Sequence, residues 1–309
     1  MMEILRHYAG IAEESCGSVV AIGNFDGVHL GHQALVDAAR RRARAEGAKL
    51  AVMSFEPHPR RVFRPDDPPF RLTPFRVKAR VLESLGVEIL FALHFDLDFS
   101  RKTAEQFVTE ILVDGLGIKG AAIGSDFVFG HGRQGNAAFL QEMGGRFGFG
   151  VTEIGPVTHE GEIYSSTRIR ELLVQGKPRQ AAVLLGREWE IEGRVEHGDE
   201  RGRTIGFPTA NLDLDDYLRP APGVYAVRAA IEGSTVWHKA VANLGRRPTF
   251  AGEDLRLEVH ILDFAEDLYG KHLRVALVEH IRPERKFDGL ESLKAQIARD
   301  CEAARAILG

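Results

Sequence analysis

Residues 18–32 read SVVAIGNFDGVHLGH, and this stretch decides the fold of the first half of the chain. Residues 18–22 form a short apolar run that predicts a buried strand, and residues 33–46 have the spacing of a helix. The string 23–32 therefore joins a strand to the helix that follows it. Ligands bind at such junctions in open parallel sheets, and the free N–H groups of a helix N-terminus receive phosphate. The stretch predicts an anion-binding site.

The alternation of strand and helix continues through the first 185 residues. Glycines close several of the predicted helices, at Gly47, Gly86 and Gly148. The order predicts an α/β domain with a doubly wound, Rossmann-like parallel sheet and helices on both faces. The remaining predicted strands are 50–55, 89–93, 121–123 and 151–154, and the helices are 74–85, 103–112, 137–147, 167–173 and 179–185.

The pattern changes after Gly186. Between residues 189 and 281, alternating segments at 225–231, 257–261 and 273–278 are separated by turns rich in glycine and proline. A single amphipathic helix is predicted at 290–307. We predict two domains: residues 1–185 in the α/β fold and residues 186–309 as a small antiparallel β-barrel with a C-terminal helix.

Composition excludes several classes of protein. The chain has 309 residues, which favours two domains, and its net charge of −4 calls for no nucleic-acid partner. The sequence shows no secretory signal and no apolar run of about 18 residues, so we expect no membrane partner. Cys16 and Cys301 are interpreted as reduced thiols of a cytoplasmic protein. We interpret the basic cluster at residues 40–44 as the exposed face and C-terminal end of a helix.

His29 and His32 are candidate phosphate ligands, because side chains three apart share one face of a helix turn. Zinc binding is disfavoured, since no third and fourth ligand lies nearby. The histidines could instead be capping or surface residues, and the glycines plain turn residues. It is the whole string at the strand–helix junction that favours phosphate binding. A P-loop is excluded because GxxxxGK[ST] is absent.

A second string, YSSTRIR at 164–170, contains good N-cap residues and places Arg170 one turn into a helix. It is either a second anion clamp at the same sheet edge or a plain capped helix with an exposed arginine.

In the second domain, Thr209 and Asn211 are two apart, so both oxygens face one side of an extended segment and suit Mg²⁺. A polar turn followed by an edge strand is the alternative. Glu258 alternates with Leu257 and Val259 on a predicted strand. It is either a solvent-facing acid or a general base for a hydroxyl nucleophile.

The string 23–32 and residues 164–170 resemble the HxGH and SSTxxR strings of the nucleotidyltransferase superfamily. Together with SFEPHP at 54–59 and GSDFVFG at 124–130, they resemble the prokaryotic FAD synthetases. The second domain resembles riboflavin kinase, in the domain order of the bifunctional prokaryotic enzyme. That likeness is carried by residues 202–211, 222–227, 243–245, 248–250, 257–260, 267–270 and 281–287.

The resemblance implies a transferase with two reactions. The second domain would convert riboflavin and ATP to FMN and ADP, and the first would convert FMN and ATP to FAD and pyrophosphate, with Mg²⁺ as cofactor. The proteins of this family act on small molecules, and we expect a monomer or weak homo-oligomer. The alternatives are a single-activity enzyme with one silent domain, a barrel that only binds flavin, and an RNA-linked adenylyltransferase, for which a basic domain is missing.

The resemblance also implies roles for individual residues. The catalytic residues of the first domain would be His29, His32 and Arg170. Glu258 would be the general base of the second domain. Thr209 and Asn211 would hold Mg²⁺, and flavin would contact His58, Asp126, Phe127 and Phe207. The residues expected at ATP are Gly23, Asn24, Phe25, Asp26, Gly27, Gly31, Ser166, Thr167, Gly202, Arg203, Gly206 and Thr209.

The loop at residues 130–135 is rich in glycine and carries His131, where family members usually have a more basic side chain. It is either a flap over the phosphates or an ordinary surface turn.

Overall fold

The computed structural model describes residues 1–159, 161–197, 205–249 and 252–309. It divides into two compact units, one of residues 1–68 with 73–165, the other of residues 69–72 with 166–309. The first unit contains the α/β sheet and the second contains the barrel, so the predicted fold class is confirmed.

The first unit is built on a six-stranded sheet in the order β1-β4-β3-β2-β5-β6, with every neighbouring pair parallel. The five predicted strands are confirmed. Strand β1 was not predicted, because its three residues carry no apolar run, yet it pairs with β4 at the sheet edge. The strands are β1 (Glu3–Leu5), β2 (Val19–Ile22), β3 (Leu50–Glu56), β4 (Ile89–His94), β5 (Gly120–Gly124) and β6 (Gly150–Ile154).

The helices of this unit follow the predicted spacing. Gly47 and Gly148 end their helices in the left-handed conformation, and Gly86 has a positive φ just after the C-cap Leu85. The predicted helix 103–112 is only partly α-helical. After one turn it widens into a π-helix, in which Asp114 N–H donates to the Thr109 carbonyl five residues back. The helices are α1 (Leu30–Glu46), α2 (Pro59–Phe63), α3 (Phe75–Ser84), α4 (Ala104–Gln106) with the π-helix Phe107–Val113, and α5 (Ala137–Phe147).

The strand order places the site. The chain moves from β2 to β3 and β4 on one side, then returns across the sheet to β5 and β6 on the other. The connections that leave β2 and β5 therefore diverge, which opens a crevice at the carboxyl ends of these two neighbouring strands. All four residues of β2 are buried, as the centre of a two-sided parallel sheet requires. The string 23–29 begins at this crevice.

The second unit contains a six-stranded antiparallel sheet in the order β10-β13-β12-β11-β14-β9. An antiparallel bridge joins Asn211 of β10 to Glu196, which follows the end of β9, so the sheet nearly closes into a barrel. Its interior is filled by alternate residues such as Leu257 and Val259. The strands are β9 (Trp189–Arg194), β10 (Ala210–Asp213), β11 (Gly223–Ile231), β12 (His238–Thr249), β13 (Gly252–Ile261) and β14 (His272–Arg282), after a β7–β8 hairpin (Thr158–His159 with Glu162–Ile163) in the first unit.

The predicted C-terminal helix is confirmed as α8 (Leu290–Leu308). Its apolar side packs on the outer face of the barrel through Cys301, Ala304 and Leu308. A charged contact also holds it, since Arg282 of β14 reaches both carboxylate oxygens of the buried Asp300 at 2.6 to 3.2 Å. Burial raises the pKa of the Cys301 thiol to about 11, so this thiol is protonated at neutral pH.

Two helices that precede residue 186 belong to the second unit of the structure. Helices α6 (Ser166–Val174) and α7 (Pro178–Leu185) belong to the second unit, because α7 packs on β9 and β14 and buries Leu184 and Leu185. The structural division thus falls before Ser166. The domain limits 1–185 and 186–309 as units of function stay a prediction.

The basic cluster lies in α1, as interpreted. Arg42 forms an ion pair with Glu46 at 2.7 Å, and Arg40 pairs with Asp37. In the part of the chain that the structure describes, no helix has the length and hydropathy to span a bilayer.

Candidate active sites

In the loop between β2 and α1, two residues that were predicted to contact the nucleotide, Phe25 and Asp26, are buried. The side chain of Phe25 is fully buried, and Asp26 is 2% exposed. The Asp26 carboxylate accepts a hydrogen bond from the Thr73 N–H at 3.0 Å, and the Thr73 hydroxyl accepts one from the Gly27 N–H at 2.9 Å. Phe25 and Asp26 therefore shape the loop, and an anion would meet backbone rather than these side chains. Asn24 is exposed.

The backbone of this loop is strained. Phe25 has a φ of 51° and Val28 a φ of 43°, values that cost a bulky or β-branched residue about 1–3 kcal/mol each. Gly27 also has a positive φ, of 88°, which glycine adopts without this steric cost. Strain of this kind persists only where surrounding contacts impose it, and it clusters at functional sites.

His29 and His32 lie face to face. Their rings stack with centroids 3.7 Å apart, and the His32 ring also leans on Phe25 at 5.0 Å. His29 is the N-cap of α1, where its Nδ1 accepts from the His32 N–H at 3.4 Å. Because Nδ1 is an acceptor, the neutral ring carries its proton on Nε2, which is then a donor. Gly31 leaves room for this ring, since a Cβ there would lie 3.1 Å from it.

A buried lysine beneath the loop was missed by the sequence analysis. The side chain of Lys78 on α3 is 0% exposed, and its Nζ donates to the Asn24 carbonyl, the Ser54 hydroxyl and Glu56 Oε1 at 2.9 to 3.0 Å. Its spacing from Leu82 and Leu85 places it on the apolar face of the helix. This spacing was the sequence signal that could have identified Lys78 as a buried residue.

The residues expected at flavin in this unit lie in two places. Asp126 is exposed in the turn after β5, and Phe127 beside it stacks on Phe129 with centroids 5.4 Å apart. His58 is buried and caps α2, where its Nδ1 accepts from the Arg60 N–H at 3.1 Å. This cap accounts for the position of His58, and a flavin contact there stays a prediction. In the loop 130–135, His131 is exposed.

The string 164–170 forms the start of α6, as predicted. Ser166 begins the helix and Thr167 is exposed. The guanidinium of Arg170 is held by Phe70, since its Nε donates to the Phe70 carbonyl at 2.9 Å and its Cζ lies 5.5 Å from the ring centroid.

In the barrel, the strand register brings three polar residues side by side. Glu258 on β13 lies directly opposite Asn211 on β10 and directly opposite Asn243 on β12. Side chains opposite one another in an antiparallel pair have Cβ atoms about 4.5–5.5 Å apart. Glu258 is exposed, while Asn211 is 7% exposed. Glu258 therefore stands on the outer face of the barrel between two amides.

Phe207 and His260 flank this row. Their rings meet edge to face at 5.5 Å, and His260 Nδ1 lies 2.8 Å from the Pro208 carbonyl. Thr209 is half-buried next to β10, and Gly206 sits in the preceding turn. Gly202 and Arg203, expected at ATP, lie outside the described residues.

The residues available for Mg²⁺ are hard oxygen donors. Thr209 and Asn211 supply a hydroxyl and an amide oxygen, and Mg²⁺ commonly takes one or two protein ligands and completes its shell with water and phosphate. Within the described ranges, no group of three histidine, cysteine or acidic residues forms a cluster that could hold a metal by itself. The donor set fits a magnesium ion bound jointly with a nucleotide.

Comparison with known proteins finds two family models on the chain, one in each half. The family model for FAD synthetase matches residues 11–168, and the model for riboflavin kinase matches residues 185–308. A crystal structure named as a macrolide-efflux protein from Streptococcus pneumoniae has a TM-score of 0.87 and 35% identity, with 98% of each chain covered.

Three curated relatives named bifunctional riboflavin kinase/FMN adenylyltransferase are similar over nearly their whole length. The Escherichia coli K12 protein is 45% identical, over 95% of this chain and 93% of its own. The Haemophilus influenzae protein is 40% identical over 99% of both chains. The Bacillus subtilis protein is 39% identical over 95% of this chain and 93% of its own. The resemblance seen in the sequence is confirmed, and the chain belongs to the bifunctional riboflavin kinase/FMN adenylyltransferase family.

Proposed function

We propose that this protein makes FMN from riboflavin and ATP on the barrel, and FAD from FMN and a second ATP on the parallel sheet. The observation that best supports it is the row of Asn211, Glu258 and Asn243 across three strands. A barrel that only binds flavin needs no carboxylate set between two amides on its outer face. The row supports the transfer of a phosphoryl group over mere binding.

In the kinase reaction, Glu258 is the general base. The ribityl 5′-hydroxyl of riboflavin is too weakly acidic to ionise alone near neutral pH, so its proton passes to the carboxylate as the oxygen bonds to the γ-phosphorus of ATP. The bond from that phosphorus to the bridging oxygen breaks, and ADP leaves. A positioned carboxylate contributes about 10²–10⁴-fold to such a step. Mg²⁺ held by Thr209 and Asn211 would supply charge neutralisation at the ATP phosphates.

The adenylyl transfer needs no base. An oxygen of the FMN phosphate is already anionic, and it bonds to the α-phosphorus of ATP as pyrophosphate leaves. The protein must position the two anions and stabilise charge on the departing pyrophosphate. The N–H groups at the start of α1, the Nε2 proton of His29 and the imidazole of His32 are suited to this. We assign Ser166, Thr167 and Arg170 to the same reaction on the basis of the family motif.

We further propose that the enzyme works in the cytoplasm as a monomer or weak homo-oligomer, with flavins and ATP and no nucleic acid as partners. The net charge of −4 supports the last point.

Incubation of the pure protein with riboflavin, ATP and Mg²⁺ tests the assignment directly. Chromatography should resolve both FMN and FAD among the products. With FMN and ATP supplied instead, FAD and pyrophosphate should appear in equal amounts. A protein that yields FMN but never FAD has a silent first domain, and one that yields neither contradicts the proposal.

We expect the two activities to be separable on fragments of the chain. A fragment of residues 166–309 keeps α6 and α7, whose Leu184 and Leu185 are buried. Burial of one leucine is worth about 1.5–3 kcal/mol, so a fragment of residues 187–309 should unfold at a lower denaturant concentration. We expect the longer fragment to phosphorylate riboflavin and to make no FAD.

Denaturant unfolding, followed by the fluorescence of the buried Trp189, compares the two fragments. Equal midpoints would show that α6 and α7 contribute little, which would support the predicted boundary between residues 185 and 186. A longer fragment that is folded by circular dichroism but makes no FMN would contradict the independence of the kinase domain.

A further inference from the structure

Lys78 is an unusual residue to find inside a protein. Its side chain is fully buried, and its ammonium donates to oxygen acceptors on Asn24, Ser54 and Glu56. The Glu56 carboxylate, 13% exposed, supplies the opposite charge at 2.9 Å. A buried ion pair is a costly way to gain stability, because apolar residues of similar volume often serve as well. This cost suggests that the ammonium has a further use.

The contacts of Lys78 show what that use is. Two donors converge on one oxygen, since both Lys78 Nζ and the Ser54 hydroxyl donate to the Asn24 carbonyl, at 3.0 and 3.1 Å. Asn24 immediately precedes Phe25, the first strained residue of the loop, and Val28, the second, immediately precedes the cap residue His29. The position of the Asn24 carbonyl therefore fixes where the strained loop begins.

The other end of the loop is held separately. Gln33 Nε2 donates to the Val28 carbonyl at 3.0 Å, and Thr73 accepts from the Gly27 N–H. With these contacts intact, loss of Lys78 would free only the start of the loop. The backbone N–H groups at the start of the loop would then shift relative to the phosphates.

We propose that Lys78 is a positioning residue for adenylyl transfer, which holds the Asn24 carbonyl and thereby sets the loop 23–29 to receive the phosphates of ATP. It touches neither substrate. The inference rests on the proposed role of this loop in ATP binding. A displacement of about 1 Å at a reacting group costs on the order of 10²-fold in rate.

The experiment uses the full-length enzyme and four variants. Lys78→Met removes the ammonium but leaves the Glu56 carboxylate without it, so the protein should lose stability as well as activity. Lys78→Met with Glu56→Gln removes both charges and should regain most of that stability. Ser54→Ala deletes the second donor to the Asn24 carbonyl and changes no charge. Arg42→Met with Glu46→Gln removes a matched ion pair at the far end of α1.

Kinetics of FAD synthesis from FMN separate positioning from a purely structural role. For Lys78→Met with Glu56→Gln, we expect the KM for ATP to rise about tenfold and kcat to fall on the order of 10²-fold, with the KM for FMN unchanged. A structural role would lower the fraction of active enzyme and leave both KM values alone. Ser54→Ala should raise the KM for ATP by a few fold. The Arg42 variant should retain both KM values, and every variant should retain riboflavin phosphorylation.

Normal kinetics of FAD synthesis in the double variant, with only Lys78→Met impaired, would overturn the proposal, because Lys78 would then merely neutralise Glu56. If the double variant fails to fold, Ser54→Ala decides, and an unchanged KM for ATP in that variant overturns the proposal too. Failure of the ATP site itself is recognised separately. In that case a variant with His29→Asn and His32→Ala keeps its FAD synthesis.

Discussion

Glu258→Gln should lower the rate of riboflavin phosphorylation by ~10²-fold or more, while FAD synthesis from added FMN stays at the wild-type rate. The substitution keeps the volume of the side chain and removes only its basicity. Glu258 is exposed on the outer face of the barrel, so no core packing is disturbed. The amide can still accept a hydrogen bond from the ribityl hydroxyl. The loss should therefore appear in kcat rather than in the KM for riboflavin.

The measurement is FMN production at saturating riboflavin and ATP. Glu232→Gln, an exposed acid in the turn after β11, is the matched control and should be without effect. A fall of less than about threefold in Glu258→Gln would mean that positioning of the substrates suffices and that Glu258 is a surface acid. A parallel loss of both activities would contradict the expectation that the substitution leaves the fold intact.

Replacement of both His29 and His32 should reduce FAD formation from FMN by ~10²-fold or more and spare the kinase. In the proposed mechanism each imidazole donates to charge on the leaving pyrophosphate, and removal of a single such donor costs on the order of 10²–10³-fold in other enzymes. His29 also caps α1, so alanine there would mix a folding effect with a catalytic one. Asparagine is the better substitute, because its side chain is a good N-cap.

The variant to compare is therefore His29→Asn with His32→Ala. Thermal unfolding should show that the cap is preserved, and FAD synthesis should be lost. Unchanged FAD synthesis in this variant would contradict the role of both rings. If His29→Asn alone is active and His29→Ala alone is not, then residue 29 acts only as a cap.

The sequence predicted the fold well where its pattern was long and periodic. The five main strands of the first unit were found, because buried parallel strands are continuous apolar runs. Strand β1 was missed, since three residues at a sheet edge owe their conformation to pairing with β4 and not to their own composition. The π-helix at Phe107–Val113 was missed for a similar reason. The apolar spacing of the segment fits an α-helix, and the wider turn appears only in the hydrogen bonds.

The site was predictable at the level of motifs and not of contacts. The string 23–32 indicated where phosphate would bind, but it could not show that Phe25 and Asp26 point inward. Lys78 and Thr73 come from a later segment that approaches the loop only in the folded chain. In the same way, spacing paired Thr209 with Asn211 along one strand. Only the register of the barrel places Glu258 between Asn211 and Asn243.

The strand pairing of the barrel also bears on the order in which the two units fold during synthesis. The first strand of the barrel pairs with its last, as Glu190 and Arg274, 84 positions apart, illustrate. Strand β10 likewise cannot pair until β13 has been synthesised, and only then does Asn211 lie opposite Glu258. The parallel sheet needs nothing beyond β6 to pair all its strands. A chain emerging from the ribosome can therefore complete the FAD-forming sheet first, while the FMN-forming barrel closes only after β14 has been made. The sheet that serves the second chemical step can thus form before the barrel that serves the first.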